Sequence, residues 1–175
     1  PDVPPPSATF TIESTPERVA RGAYLANHVA VCMDCHTERD FTKFAGPIKR
    51  DRLGAGGEKF DGFNSGVPGT LYAKNITPAG VGDWTDGELL QAVTSGVSRD
   101  GTPLFPLMPY PNYGQMAEDD VMAILAYVRS LTPVSVTPLG MVRSRRGSSA
   151  LMRSTVSMTL APGWRCTSRI TAGVP

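Results

Sequence analysis

Three cysteines and two histidines are all that this 175-residue chain offers for thiol or soft-metal chemistry. Cys32, Cys35, Cys166, His28 and His36 do not readily supply the four convergent ligands, usually two similarly spaced pairs, that a structural zinc site needs. Nowhere do about 18 apolar residues run together, so no segment reads as a membrane-spanning helix. Aromatic residues are scarce at 7%, while 18 Gly and 16 Pro give loops a large share of the chain. The length suits one globular domain with a core and is short for two. A content of 41% hydrophobic and 19% charged residues fits an ordinary soluble fold. No internal repeat is present.

Acidic residues are missing altogether from one region. Residues 134–175 hold six Arg and no Asp or Glu, whereas residues 1–133 carry a net charge of −5. The split predicts a basic Ser/Arg-rich tail over 134–175, disordered or loosely docked, outside the folding unit of 15–133. Its arginines have neither a motif nor interleaved aromatics and do not define a nucleic-acid binder. Residues 1–14 open with Pro1-Asp2-Val3-Pro4-Pro5-Pro6 and read as an extended, exposed start of a processed or trimmed chain.

Three helices are legible. Thr15-Pro16-Glu17 combines a cap, a first-turn proline and an acid at the positive end of the dipole. Behind it Val19, Ala23 and Ala26 form an apolar stripe, with Ala20 and Tyr24 beside them. Gly22 costs about 1 kcal/mol in mid-helix relative to Ala, which points to a close crossing by another helix. Thr85-Asp86-Gly87-Glu88 matches a capping box ahead of Leu89, Leu90, Ala92 and Val93, with Gly96 as the stop. The clearest helix starts near Glu118, Asp119 and Asp120, carries Val121, Ile124, Leu125 and Val128 at helical spacing, and ends before Pro133. Ala117 is a weak residue for its cap. Residues 41–78 and 97–116 read as loop, the first with short strands possible around Gly57–Phe63 or Thr70–Asn75, the second with four prolines against any helix.

One motif carries chemistry: Cys32-Met33-Asp34-Cys35-His36. Two thiols three positions apart on the last turn of a helix face one side and match the two vinyl groups along one edge of a haem. The histidine that follows is placed to ligate the iron. A thioredoxin-like pair sits at a helix N-terminus after a strand, whereas this pair follows a helix. A structural disulfide is the remaining alternative. The flat apolar ring also answers the question of what so many loops pack on.

Arg21-Gly22-Ala23-Tyr24-Leu25, Cys32–His36, Asn75-Ile76-Thr77-Pro78, Gly82-Asp83-Trp84-Thr85, Phe105-Pro106-Leu107-Met108-Pro109-Tyr110 and the helix Asp119–Leu131 together resemble a class I c-type cytochrome. More narrowly, residues 15–133 resemble monohaem cytochrome c subunits and domains associated with bacterial periplasmic dehydrogenases. The resemblance implies an all-α fold, with three main helices around one covalent haem (heme c) and long irregular loops. It implies His36 as one axial ligand and Met108, in a loop stiffened by Pro106 and Pro109, as the other, with Met116 next in line and His28 a weaker candidate. Trp84, Asn75 and Arg99 are candidates for contacts to the haem propionates, as is Thr77, and Tyr110 for the pocket wall. Each also has an ordinary structural role open to it. Gly22 and Tyr127 resemble the crossing of first and last helices, the missing side chain admitting the aromatic ring.

The function so implied is one-electron transfer, not catalysis, from a periplasmic dehydrogenase or other donor to an oxidase or another cytochrome. Location in the bacterial periplasm follows, with membrane association only through a partner or an anchor outside this chain. Two alternatives stand beside it: a haem protein with an open sixth position acting in sensing or peroxide chemistry, and a fixed electron-transfer subunit of a dehydrogenase complex. Cys166 is left over as a free thiol or an intermolecular bridge.

Overall fold

A computed structural model describes residue 3, residues 5–6 and residues 9–136. Most of the basic tail, with Cys166, Met141, Met152 and Met158, lies outside the described residues.

The first helix, α1 (Pro16–Tyr24), begins as its residues dictate: the Thr15 hydroxyl accepts from the Arg18 N–H at 3.2 Å and Pro16 occupies the first turn. The backbone then widens into a π-helical turn, Leu25–Val29, and stops. Val31 takes the left-handed conformation at φ 48°, a costly one for a β-branched residue. The cysteines therefore do not ride the last turn of α1. They form a separate single turn, α2 (Cys32–Cys35).

The last helix, α6 (Glu118–Ser130), crosses α1. Its stripe is as the spacing predicts, with Val121, Ile124, Leu125 and Val128 buried and Ala123 and Ala126 added. At the crossing a Cβ on Gly22 would overlap the Ala123 carbonyl oxygen and lie 2.9 Å from Tyr127 Cβ. The glycine thus admits backbone, not the tyrosine ring. Tyr127 instead accepts through its hydroxyl from Asn27 Nδ2 at 3.1 Å. Because the contact centres on Gly22, the buried face of the first helical segment is Gly22, Leu25 and Ala26, while Val19 and Ala23 are half-buried.

Between these helices lie a short 3-10 turn (Arg50–Arg52), an antiparallel ribbon, β1 (Lys59–Asp61) with β2 (Thr70–Tyr72), and three further α-helices: α3 (Pro78–Val81), α4 (Asp86–Ser95) and α5 (Tyr110–Tyr113). α4 has both bonds of the predicted capping box and ends on Gly96 in the left-handed region. α5 forms where the prolines argue against a helix, because Pro111 sits in the first turn and no intrahelical N–H is lost there. The described residues are helix-rich with a single two-stranded ribbon.

The core joins Leu25, Met33, Leu89, Tyr113, Ile124, Leu125 and Leu131, each large side chain stabilising by about 1.5–3 kcal/mol on burial. One polar hub crosses it. Arg129 donates to Asp86 Oδ1 from Nε (3.0 Å) and Nη2 (2.8 Å), and to the carbonyls of Val81 (3.0 Å) and Trp84. Asp86 Oδ2 accepts from the Ile12 N–H at 2.8 Å. Beyond Pro133 the chain stays attached for at least one residue, since Val134 is bonded through both its N–H and its carbonyl. Among the described residues no helix is long and apolar enough to cross a membrane.

Candidate functional site

α2 sets Cys32 and Cys35 on one helical turn, both as free, half-buried thiols. Met33 between them points into the core at 1% exposure and so serves packing. Burial pushes the Cys32 thiol up to about 11 and raises Cys35 as well, aided there by Asp34. Thiols held protonated in this way are unlike the low-pKa pair of a thiol oxidoreductase. Among the described residues no group of three or more His, Cys, Asp or Glu side chains converges as a metal site.

His36 caps the turn, and its ring is held from a distance in sequence. Nδ1 lies 2.7 Å from the Lys74 carbonyl. A carbonyl only accepts, so Nδ1 carries the proton and Nε2 keeps its lone pair. Burial lowers the imidazole pKa and favours the neutral ring, and the Lys74 bond offsets this only in part. Nε2 has no hydrogen bond among the described residues. A neutral imidazole with one nitrogen anchored and the other free, next to two thiols on one turn, is the donor set that a covalently attached haem requires. The residues present fit that group.

The backbone around His36 is fixed too. Its carbonyl accepts from the Gly56 N–H at 2.8 Å, and the Thr37 hydroxyl, fully buried, accepts from the Gly54 N–H at 3.1 Å.

Met108 is half-buried and packs on the apolar cluster that also contacts Cys32, as does Met116. Its loop is tied at several points. The Met108 N–H donates to Phe105 O (3.1 Å), Tyr110 N–H to Met108 O (2.9 Å) and Leu104 N–H to Gly96 O (2.7 Å). The Tyr110 ring lies so close to Gly96 that a Cβ there would meet it at 2.6 Å. Tyr110 thus anchors the Met108 loop to the end of α4.

The remaining candidates occupy varied places. Trp84 is half-buried, and its indole N–H has no hydrogen bond among the described residues. The Arg99 guanidinium sits 6.0 Å from the Trp84 ring centroid and pairs with Asp83 at 2.6 Å, which lowers the Asp83 carboxyl below its ordinary range. Asn75 has both ends of its amide in use: Oδ1 accepts from the Thr77 N–H (2.9 Å) and hydroxyl (2.7 Å), and Nδ2 donates to Val134 O (2.8 Å). Thr77 is fully buried. His28 is exposed, 5.6 Å from Tyr24 ring to ring.

Three contributors are not among the residues that the sequence singles out. Lys74 acts through its carbonyl, which every residue has. Gly56 acts by letting two backbone segments touch. Tyr113 donates its hydroxyl to Ala30 O at 2.7 Å, and its phenol is pushed up by burial and by Cys32 and Cys35 nearby. An aromatic in a proline-bounded turn was the only hint of Tyr113.

No family model matches the chain. Known proteins do resemble it. It is 34% identical over 121 residues to the cytochrome c subunit of alcohol dehydrogenase (quinone) from Gluconacetobacter polyoxogenes, a stretch of 67% of this chain and 23% of that one. The cytochrome c subunit of gluconate 2-dehydrogenase from Pantoea cypripedii is 34% identical over 122 residues, 67% of this chain and 24% of the relative. The fructose dehydrogenase cytochrome subunit from Gluconobacter japonicus is 34% identical over 115 residues, 63% and 20% respectively. The chain is thus similar, over about two thirds of its length, to cytochrome c subunits of dehydrogenases, as its motifs imply. The matched stretch spans less than a quarter of those relatives.

Proposed function

We propose that this chain binds one haem c, covalently through Cys32 and Cys35 and axially through His36 and Met108, and serves as the electron-transfer part of a dehydrogenase system. The observation that carries the proposal is the His36 ring, anchored at Nδ1 and free at Nε2 beside two thiols of one helical turn. One haem, not two, follows from the single Cys-x-x-Cys-His motif. When bound, the haem supplies an iron that gains and loses one electron reversibly.

His36 and Met108 are the residues that would hold that iron, and the contacts around them restrict both. Lys74 fixes the His36 tautomer and ring orientation. Pro106, Pro109 and the Tyr110–Gly96 contact restrict the Met108 loop, so that little entropy is lost when its sulfur is fixed. A thioether favours the reduced iron relative to a second imidazole and raises the potential. The free indole N–H of Trp84 and the guanidinium of Arg99 are the proposed contacts for the propionates, Arg99 dividing its charge between them and Asp83.

The donor is a dehydrogenase and the acceptor an oxidase or another cytochrome, with the periplasm as the compartment in which such chains acquire haem. Similarity to named subunits favours a fixed place in a complex over a free carrier.

Expression with a cytochrome c maturation system tests this directly. Covalent haem that survives denaturing electrophoresis, and a far-red thioether band in the oxidised spectrum, are the expected results. Met108→Ala is expected to lose that band and bind carbon monoxide in the reduced state. Colourless wild type would overturn the whole proposal. Red but high-spin wild type that binds carbon monoxide rapidly would overturn the carrier role and favour sensing or peroxide chemistry.

A further inference from the structure

Asn75 and Thr77 are bonded to each other and to Val134, next to the one carbonyl that fixes the His36 ring. From this juxtaposition we infer that Asn75 and Thr77 are positioning residues for His36, acting through the Lys74 carbonyl and closed from behind by the segment after α6. The inference rests on the proposed role of His36 as an iron ligand and goes beyond it, because it assigns what holds the ligand.

The Lys74 carbonyl is pinned on two sides. On one, Gly56 at φ 73° lies flush against it: a Cβ there would stand 2.6 Å from the Lys74 carbonyl carbon and 2.7 Å from the Asn75 nitrogen. The same Gly56 donates its N–H to the His36 carbonyl at 2.8 Å. Gly57 N–H to Ala73 O (3.0 Å) and Ile76 N–H to Gly54 O (2.9 Å) fasten the two segments above and below. Ring and backbone of His36 therefore hang from one layered pair of segments, 54–57 and 73–76.

On the other side a closed ring of hydrogen bonds stops the 73–77 segment from swinging away. Asn75 Nδ2 donates to Val134 O at 2.8 Å, the Val134 N–H donates to Thr77 Oγ1 at 3.2 Å, and Thr77 Oγ1 donates to Asn75 Oδ1 at 2.7 Å. Asn75 Oδ1 also takes the Thr77 N–H at 2.9 Å, which sets the turn directly after Lys74. Every polar atom of the two side chains is used, and Thr77 is fully buried. Such a fully satisfied network resists rearrangement. A hydrogen bond from Nδ1 makes a ligating imidazole more electron-donating and favours the oxidised metal. Loosening the ring lengthens that bond, so the reduction potential is expected to rise.

The test uses the haem-loaded full chain and two readouts: the reduction potential, and the proton and nitrogen shifts of His36 Nδ1–H in the reduced, diamagnetic state. Thr77→Val keeps shape and removes the hydroxyl. Thr77→Ser keeps the hydroxyl. Val134→Pro removes the N–H of a half-buried residue and leaves the Asn75 and Thr77 side chains in place. The inference predicts a raised potential and a weaker Nδ1–H bond in Thr77→Val and Val134→Pro, with Thr77→Ser close to wild type in both. Lowered melting temperatures with unchanged potential and unchanged Nδ1–H shifts would overturn it and leave these residues merely structural. Wild type without covalent haem would overturn the functional proposal and this inference together, whereas normally loaded wild type with insensitive variants overturns this one alone.

Discussion

The crossing of α1 and α6 and the irregular segment from His36 to Thr77 do comparable work by opposite means. In the crossing, side chains and their spacing make the structure: Gly22 meets Ala123 and Tyr127, Val121, Ile124, Leu125 and Val128 are buried with Leu25 and Ala26, and the helices supply their own backbone bonds. In the irregular segment, backbone groups make the structure. His36 and Gly56, Gly57 and Ala73, Ile76 and Gly54, and His36 and Lys74 pair across long stretches of chain. The difference teaches where each region is vulnerable. A helix crossing fails when volume is added, and a loop scaffold fails when a donor or acceptor is removed.

Breaking the helical side at its tightest point gives the largest expected effect. Gly22→Ala drives a Cβ into the Ala123 carbonyl and is expected to cost roughly 3 kcal/mol or more, read by thermal or denaturant unfolding. A cost below about 1 kcal/mol would show that the helices can slide apart cheaply. Next comes the polar hub that ties α6 to the start of α4. Arg129→Met leaves Asp86 and the Val81 and Trp84 carbonyls short of donors at a half-buried site, and a loss of roughly 2 kcal/mol is expected in the same measurement. Thr85→Ala removes the α4 cap and is expected to cost about 1 kcal/mol, with the His36 environment unchanged by spectrum.

The smallest effect belongs to the ribbon tip. The Asp61 carboxylate is held below its ordinary range first by the Lys59 side chain, then by the Asn64 and Phe63 N–H groups. A depressed carboxylate adds stability above its unfolded pKa, and this is lost as pH falls through the folded value. Asp61→Asn is therefore expected to flatten the acid limb of the stability profile by a small loss of stability at neutral pH, with stability below the folded pKa unchanged. An acid limb as steep as wild type, with stability at pH 7 unchanged, would contradict the assignment.

Much of the helical side was legible. The Thr15 cap, the Thr85–Glu88 capping box, the Gly96 stop and the α6 stripe all stand where the residues indicate, because caps and periodicity are local properties. The close approach at Gly22 was legible as well, but its occupant was not: a sequence cannot tell whether backbone or ring fills the gap left by a glycine. The break at Val31, which separates the cysteines from α1, left no trace, since a β-branched residue is a poor signal for a left-handed turn. Asn75 was readable as a polar candidate near the site. That its amide is spent on Thr77 and Val134 depends on a return of the chain from 59 residues away.

By itself the sequence determined which atoms are available: two thiols and an imidazole within five residues, one methionine between prolines, and helices to frame them. Only the tertiary structure decided how the imidazole is presented. The acceptor for Nδ1 is a backbone carbonyl 38 positions downstream, and carbonyls are the same in every residue. Composition and spacing carry no information about which of them will arrive there. Folding brings that one to His36, and the Gly56 contact and the Asn75–Thr77–Val134 ring keep it in place.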